Sequence, residues 1–179
     1  MGGPSVEINP RAPEPGLLTF IRNYWDKQRG SRRMPSRMDI ITWDMKAHVA
    51  NVLLADVLED GRDFRYRLVG TQLQNHFNGN PTGKTMSEAL SAFGPETMER
   101  TIMTYAAVVR DKKPMRIRGS GTLYDQSAKL FDAILTPLSD DGKNVNIIFG
   151  AFVFEWDKQA EFRHRRDVDE GELERLLHG

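Results

Sequence analysis

The sequence predicts an α+β fold built on an antiparallel sheet. Three observations lead there. Two strand-like runs, Val52–Leu58 and Phe64–Val69, flank Asp60-Gly61, a strong local hairpin signal. One helical stretch, opening at Gly94-Pro95-Glu96 and closing at Lys112-Lys113, is longer than any other. Three more strand-like runs follow it: Met115–Tyr124, Lys129–Leu138 and Val145–Trp156.

The elements can be justified in order. Residues 1–15 carry Pro4, Pro10, Pro13 and Pro15 and read as an extended, flexible leader. Leu17, Phe20, Ile21, Tyr24 and Trp25 then recur at helical spacing, and the helix should stop near Gly30. Its apolar face needs a surface, either the domain's own sheet or a second copy of the chain. Gly30 to Asp39 is a loop with Arg32, Arg33 and Arg37 around Pro35. A second short helix is expected from Thr42, including Trp43 and Met45. In the second strand Phe64, Tyr66 and Leu68 alternate with Arg65, Arg67 and Val69, which assigns the two sets to opposite faces.

Thr71–Phe77 reads as a short helix ended by Asn78-Gly79, Pro81-Thr-Gly83 as a turn, and Thr85–Leu90 as another helical turn or two. Pro95 suits the first position of the long helix, and Glu96 suits its positive end. Met98, Ile102, Tyr105, Ala106 and Val109 form its apolar stripe, and Pro114 stops it. In the third strand Gly119 and Gly121 break the alternation, which suggests a bulge or a close approach by another group. Asp140-Asp-Gly142 marks a second hairpin. Val145–Trp156 is apolar on both faces, as a central strand would be. Residues 157–179 form a charged extension with a late helical patch at Leu173, Leu176 and Leu177. The expected organisation is therefore a leader over 1–15, one domain over 16–156 and an extension over 157–179.

Bulk properties exclude several classes. Lys plus Arg number 25 and Asp plus Glu number 25 in 179 residues, a balance unlike that of a dedicated nucleic-acid binder. The arginine loop lacks interleaved aromatics that stack bases and reads as a solvated loop. There is no cysteine, so disulfides, thiolate metal sites and cysteine nucleophiles are impossible. The first residues lack the pattern of a secretion signal, and no apolar run approaches the roughly 20 residues that span a bilayer. A cytoplasmic protein without membrane or nucleic-acid partners is expected.

In order and spacing, these elements resemble the PAS domain family. The closer resemblance is to a bacterial subfamily common in alphaproteobacteria. It rests on Trp25, Pro35-Ser-Arg37, Tyr66-Arg-Leu-Val-Gly-Thr71, Thr82-Gly-Lys84, Pro114, Pro137-Leu-Ser139 and Asp141-Gly142. The subfamily's prolines near the second short helix and before the first strand are replaced by Thr42-Trp43 and Ala50-Asn51. The resemblance implies a PAS fold with five antiparallel strands in the order 2-1-5-4-3 and helices on one face. It further implies a stand-alone sensory or regulatory module without an output domain of its own. Such a module binds a small molecule or a regulatory protein partner and signals through association, including a homodimer through the N-terminal helix or the sheet.

The candidate ligand contacts are Tyr66, Arg67, His76, Tyr105, Arg118 and Phe131. Leu68, Phe77, Met86, Met98, Ile102 and Ile117 are further expected walls of a mostly apolar pocket. Arg67 would fork onto a carboxylate or phosphate if it faces that pocket; otherwise it is a structural ion pair. Arg116 poses the same question. The lack of cysteine removes a cysteinyl-flavin adduct and a thioester-linked chromophore. Pro95–Asp111 contains no histidine, which disfavours the usual haem ligation of the family. His48, His76, His164 and His178 have no metal spacing. No nucleophile elbow, phosphate loop or His-Glu-x-x-His appears, so an enzyme is not expected. Asp132, inside a strand, reads as hydrogen-bonded structure. The alternatives are a small acid–base enzyme of the cone-shaped nuclear-transport-factor-like fold and a ligand-free interaction domain.

Overall fold

The computed structural model of the chain describes residues 6–11, 13–41, 44–77, 79–122 and 128–156. In chain order the elements are β1 (Val6–Ile8), α1 (Gly16–Arg29), β2 (Val52–Leu58), β3 (Asp63–Val69), α2 (Thr71–Gln74), α3 (Met86–Leu90), α4 (Pro95–Asp111), β4 (Met115–Thr122), β5 (Ala128–Leu138) and β6 (Ile147–Trp156). The expected helix start at Thr42-Trp43, the stop at Asn78, the end of the third strand at Tyr124, and the extension over 157–179 lie outside the described residues.

All strands join one antiparallel sheet in the order β1-β4-β5-β6-β2-β3. Five strands were expected and six are present. The five expected strands keep their expected order, and β6 is central, between β5 and β2. The sixth strand is β1, which pairs Val6–Ile8 with Gly119–Ile117 on β4. It carries almost no side-chain signature, because Glu7 and Ile8 are exposed and Val6 is only half-buried. A strand held by backbone pairing at an edge leaves no alternation to read.

Two further expectations are corrected by the register. No bulge interrupts β4: its pairing with β5 runs unbroken from Met115↔Leu135 to Thr122↔Ala128, and Gly119 lies between Val6 and Phe131. The irregularity falls instead between Leu54 and Ala55, opposite Arg67. That bulge shifts the pleat. Leu68 therefore stands opposite Leu54, on the rung of Phe149, while Tyr66 stands opposite Ala55, on the rung of Ile148. Leu68 and Tyr66 consequently belong to opposite faces, and Val69 rejoins the face of Tyr66.

The sheet is covered on both sides. The outer face carries α1, whose buried Leu18, Ile21, Tyr24 and Trp25 lie against β5 and β6. The apolar face of this helix thus rests on its own domain. Trp25 Nε1 donates to the Pro137 carbonyl at 2.8 Å, which satisfies the one polar atom of a buried indole. On the same face, Arg116 forks onto Asp132 with distances of 2.9 and 2.5 Å, and both side chains are almost wholly buried. The carbonyls of Pro10 and Pro13 accept further guanidinium hydrogens, so the segment after β1 closes over the pair. Asp132 is thus the hydrogen-bonded structural carboxylate the sequence suggested, and Arg116 is its partner.

The inner face carries α2, α3 and α4. Phe64 meets Tyr105 of α4 with ring centroids 5.3 Å apart. The end signals of α4 act as expected: Pro95 stands at its start and Lys112 adopts the left-handed conformation that terminates it. The loop arginines are tied locally, Arg29 to Asp26, Arg32 to Asp39, and Arg37 to the Ile40 carbonyl. No helix among the described residues is long and apolar enough to cross a membrane.

Candidate ligand-binding site on the inner sheet face

The site is assembled around Tyr66. On one side β3 pairs with β2; on the other, the Pro81–Lys84 turn grips the strand backbone. Tyr66 N donates to the Lys84 carbonyl at 3.0 Å, and Gly83 N donates to the Tyr66 carbonyl at 2.7 Å. Thr85 then starts α3 with a capping box: its hydroxyl accepts from Glu88 N, and the Glu88 carboxylate accepts from Thr85 N. The Tyr66 ring is thereby held on the inner face, edge-on to Phe77 at 5.4 Å.

Gly70 turns the chain from β3 into α2. A Cβ there would collide with the carbonyl oxygens of Val49 and Ala50, so only glycine allows this close approach. The short helix that follows delivers His76 and Phe77 over the sheet. The His76 ring is buried and lies against Phe154 of β6, with centroids 3.8 Å apart and planes tilted by 39°. Phe154 lies nearly parallel to Phe152, at 6.2 Å and 14° between planes, and Phe152 in turn meets Phe131 of β5 at 6.3 Å. Phe77, Phe131, Phe152 and Phe154 all remain half-buried, whereas most of the surrounding core is sealed.

Two tyrosines contribute polar groups to this face. Tyr66 and Tyr105 are each 3% exposed, and neither hydroxyl has a hydrogen-bond partner among the described residues. Burial raises the pKa of both phenols, with the Asp63 carboxylate adding to Tyr66 and Tyr66 adding to Tyr105. Both are therefore neutral donors at neutral pH.

The structure thus brings Tyr66, His76, Tyr105 and Phe131 to the inner face. Arg67 and Arg118 are not brought there. Arg67 is the extra residue of the bulge and binds Asp56 at 2.8 Å, with 53% of its side chain exposed. Arg118 stands on the rung of Asp132 and Val153, on the α1 side. Ile117 and Met86 lie on the inner side as expected, while the bulge moves Leu68 away. Sequence reasoning missed Phe152 and Phe154. Their signal was the i, i+2 spacing in β6, hidden because that strand is apolar on both faces. Among the described residues no cluster of three metal-binding side chains occurs.

Comparison with known proteins agrees with this architecture. Residues 17–153 match the PAS domain family, and the chain belongs to that family. Among solved structures it is similar to the PAS domain of BvgS from Bordetella pertussis, with 16% identity, a TM-score of 0.51, and coverage of 88% of this chain and 99% of that one. It is also similar to an RNA-binding light-oxygen-voltage receptor, with 13% identity, a TM-score of 0.50 and coverage of 97% of this chain. The chain spans 45% of that receptor's length. At these identities the likeness is one of fold. No curated protein matches the sequence.

Proposed function

We propose that this chain is a sensory and regulatory PAS module that binds a small molecule on the inner face of its sheet and signals through association. Residues 16–156 form the sensing unit in this reading, 1–15 its leader and 157–179 its extension. It works in the cytoplasm as a bacterial module of the Tyr-Arg-Leu-Val-Gly-Thr subfamily, as a sensor rather than a catalyst. Its output is contact with a second copy or with a regulatory protein partner. Tyr66, His76, Tyr105 and Phe131 meet the ligand, whereas Arg67 and Arg118 serve the sheet.

One observation carries the reading. Four phenylalanine rings beside a buried histidine stay half-exposed on the face that the helices cover. Apolar surface left half-open on that face is what a ligand would cover. Native mass spectrometry of the purified chain, compared with the denatured mass, tests it. A small molecule released on denaturation is expected. If none is found and no compound in a broad library raises the melting temperature, the chain is a ligand-free interaction domain. Arg67→Ala should keep any ligand-induced rise in melting temperature; its loss would return Arg67 to the site. Light scattering across concentrations tests association, and a monomer throughout would leave only a different partner protein.

A further inference from the structure

The β4 edge of the sheet is closed by the least buried of its strands. β1 covers three of the eight residues of β4, pairing Val6 with Gly119, Glu7 with Arg118 and Ile8 with Ile117. Its side chains add little, since Val6 is half-buried, Glu7 is exposed and Ile8 is 50% exposed. Backbone pairing and one anchor hold it. Asn9 N donates to the Arg116 carbonyl at 2.6 Å, and Arg116 N donates to Asn9 Oδ1 at 3.3 Å. The Arg116 guanidinium also donates to the Pro10 carbonyl. Backbone pairing does not depend on which molecule supplies the strand. The same contacts can therefore form between two copies as within one.

The connection from β1 to α1 is short and rich in proline. Glu14 is fixed to α1 through Arg22 at 2.7 Å, and the Pro13 carbonyl accepts from Arg116 at 2.9 Å. The turn back onto β4 must therefore be made before Pro13. Asn9 makes part of it with a φ of 51°, in the left-handed region that a residue with a side chain adopts at a cost. Proline favours the opposite, an extended chain. A short, strained connection to a peripheral strand is the arrangement that strand exchange relieves. On exchange the connection straightens, and the strand lands on the same edge of a second copy.

Accepting that the chain signals through association, we propose that its self-association is a strand exchange. β1 of one copy, with Asn9 and Pro10, occupies the β4 edge of the other, and the receiving copy's own Arg116 holds the visiting Pro10 carbonyl. Two copies facing one another across their β4 edges each give one strand and take one, which closes the dimer about a two-fold axis. Ile117, the residue opposite Ile8, is buried in the core, so the receiving edge is continuous with the domain's interior.

The sequence has no cysteine, so an introduced pair reports a single contact. Paired residues on antiparallel strands have Cα atoms about 4.5–5.5 Å apart, within the reach of a disulfide. Light scattering across concentrations first establishes whether the full chain is a dimer. The double variant Glu7→Cys with Arg118→Cys is then oxidised at a concentration where the chain is dimeric and run on a non-reducing gel. A covalent dimer is the expected product. A mixture of size-tagged Glu7→Cys chains with untagged Arg118→Cys chains should likewise give a cross-linked pair of unequal chains. An unchanged melting temperature certifies the fold. If it drops, Ile8→Cys with Ile117→Cys repeats the measurement one rung along. Inserting Gly-Ser-Gly after Pro10 relaxes the connection and should raise the monomer fraction several-fold at equal concentration. In a dimeric chain, a disulfide that closes within one molecule, or none at all, overturns the exchange and leaves association through another surface. A monomer at every concentration overturns self-association itself, and the exchange with it.

Discussion

The two faces of the sheet solve the same problem, burying strands β5 and β6, by different means. On the α1 side the buried polar atoms are matched within the chain. Arg116 meets Asp132, Trp25 Nε1 meets the Pro137 carbonyl, and the Thr136 hydroxyl donates to the Phe149 carbonyl at 2.9 Å. On the α4 side two tyrosine hydroxyls are unmatched among the described residues, and four phenylalanines are half-open. The outer face is therefore finished as it stands. The inner face leaves those hydroxyls and rings without such matching among the described residues. The contrast places the matched polar groups on one side of the same strands and the proposed binding face on the other.

The contrast is tested most severely at Asp132. Asp132→Ala would strand the Arg116 guanidinium in a site where its side chain is only 6% exposed. A loss of roughly 3–5 kcal/mol is expected from denaturant unfolding, as for other buried pairs broken on one side. The double replacement Arg116→Met with Asp132→Leu should recover most of it, because two apolar groups leave no charge behind. A loss below about 1 kcal/mol for Asp132→Ala would show that the outer face does not depend on its matched polar groups.

The next effect in size concerns the hinge between the faces. Gly70→Ala forces a methyl against the Val49 and Ala50 carbonyls, neither of which is a flexible side-chain end. A cost of about 1–3 kcal/mol is expected, with displacement of α2 and so of His76 and Phe77. Near-ultraviolet dichroism and thermal unfolding read both consequences. If ligand response is lost while stability drops little, the hinge serves the inner face alone.

Much of this fold was legible because its signals are local. Asp60-Gly61, Pro95 and the apolar run of β6 each act within a few residues, and each does in the structure what its chemistry suggests. Three features were not legible, for a common reason. Strand β1 is held by backbone pairing, the bulge at Leu54/Ala55 is a property of two strands together, and the placement of Phe152 and Phe154 depends on which rung faces α4. Register between distant segments decides all three, and no single stretch of sequence states it. The site shows the same division: Tyr66 and Tyr105 could be nominated by pattern, but whether Arg67 joined them depended on one extra residue in one strand.

Hydroxyl deletions give a smaller and more pointed test. Thr136→Val removes a donor from a matched pair at a site with no solvent exposure, and should cost about 1–2 kcal/mol. Tyr66→Phe removes an unmatched hydroxyl, and should change the stability of the ligand-free protein by less than about 0.5 kcal/mol or raise it. Equal losses at the two positions would erase the distinction between the faces.

The pH limits of stability carry the same distinction with the smallest amplitude. The inner phenols have raised pKa values, chiefly through burial. Their contribution is complete below the ordinary tyrosine value, about 10, and is lost as pH rises, since the unfolded chain ionises first. Tyr66→Phe with Tyr105→Phe should therefore flatten the alkaline limb of stability. The acid limb belongs to the surface. Asp141 accepts from the backbone N–H groups of Asn144 and Lys143 and from the Ser139 hydroxyl, which hold its carboxyl below the ordinary range. Its contribution is complete above the ordinary carboxyl value and is lost as pH falls toward its own depressed one. Because Asp141 closes the β5–β6 hairpin that both faces share, acid should loosen both faces together, and Asp141→Asn should shallow that limb alone. Urea midpoints measured from pH 3 to pH 11 on these variants separate the two limbs. If the phenol variants changed the acid limb, or Asp141→Asn the alkaline one, the inner face and the hairpin would be coupled in a way their separate bonding does not provide.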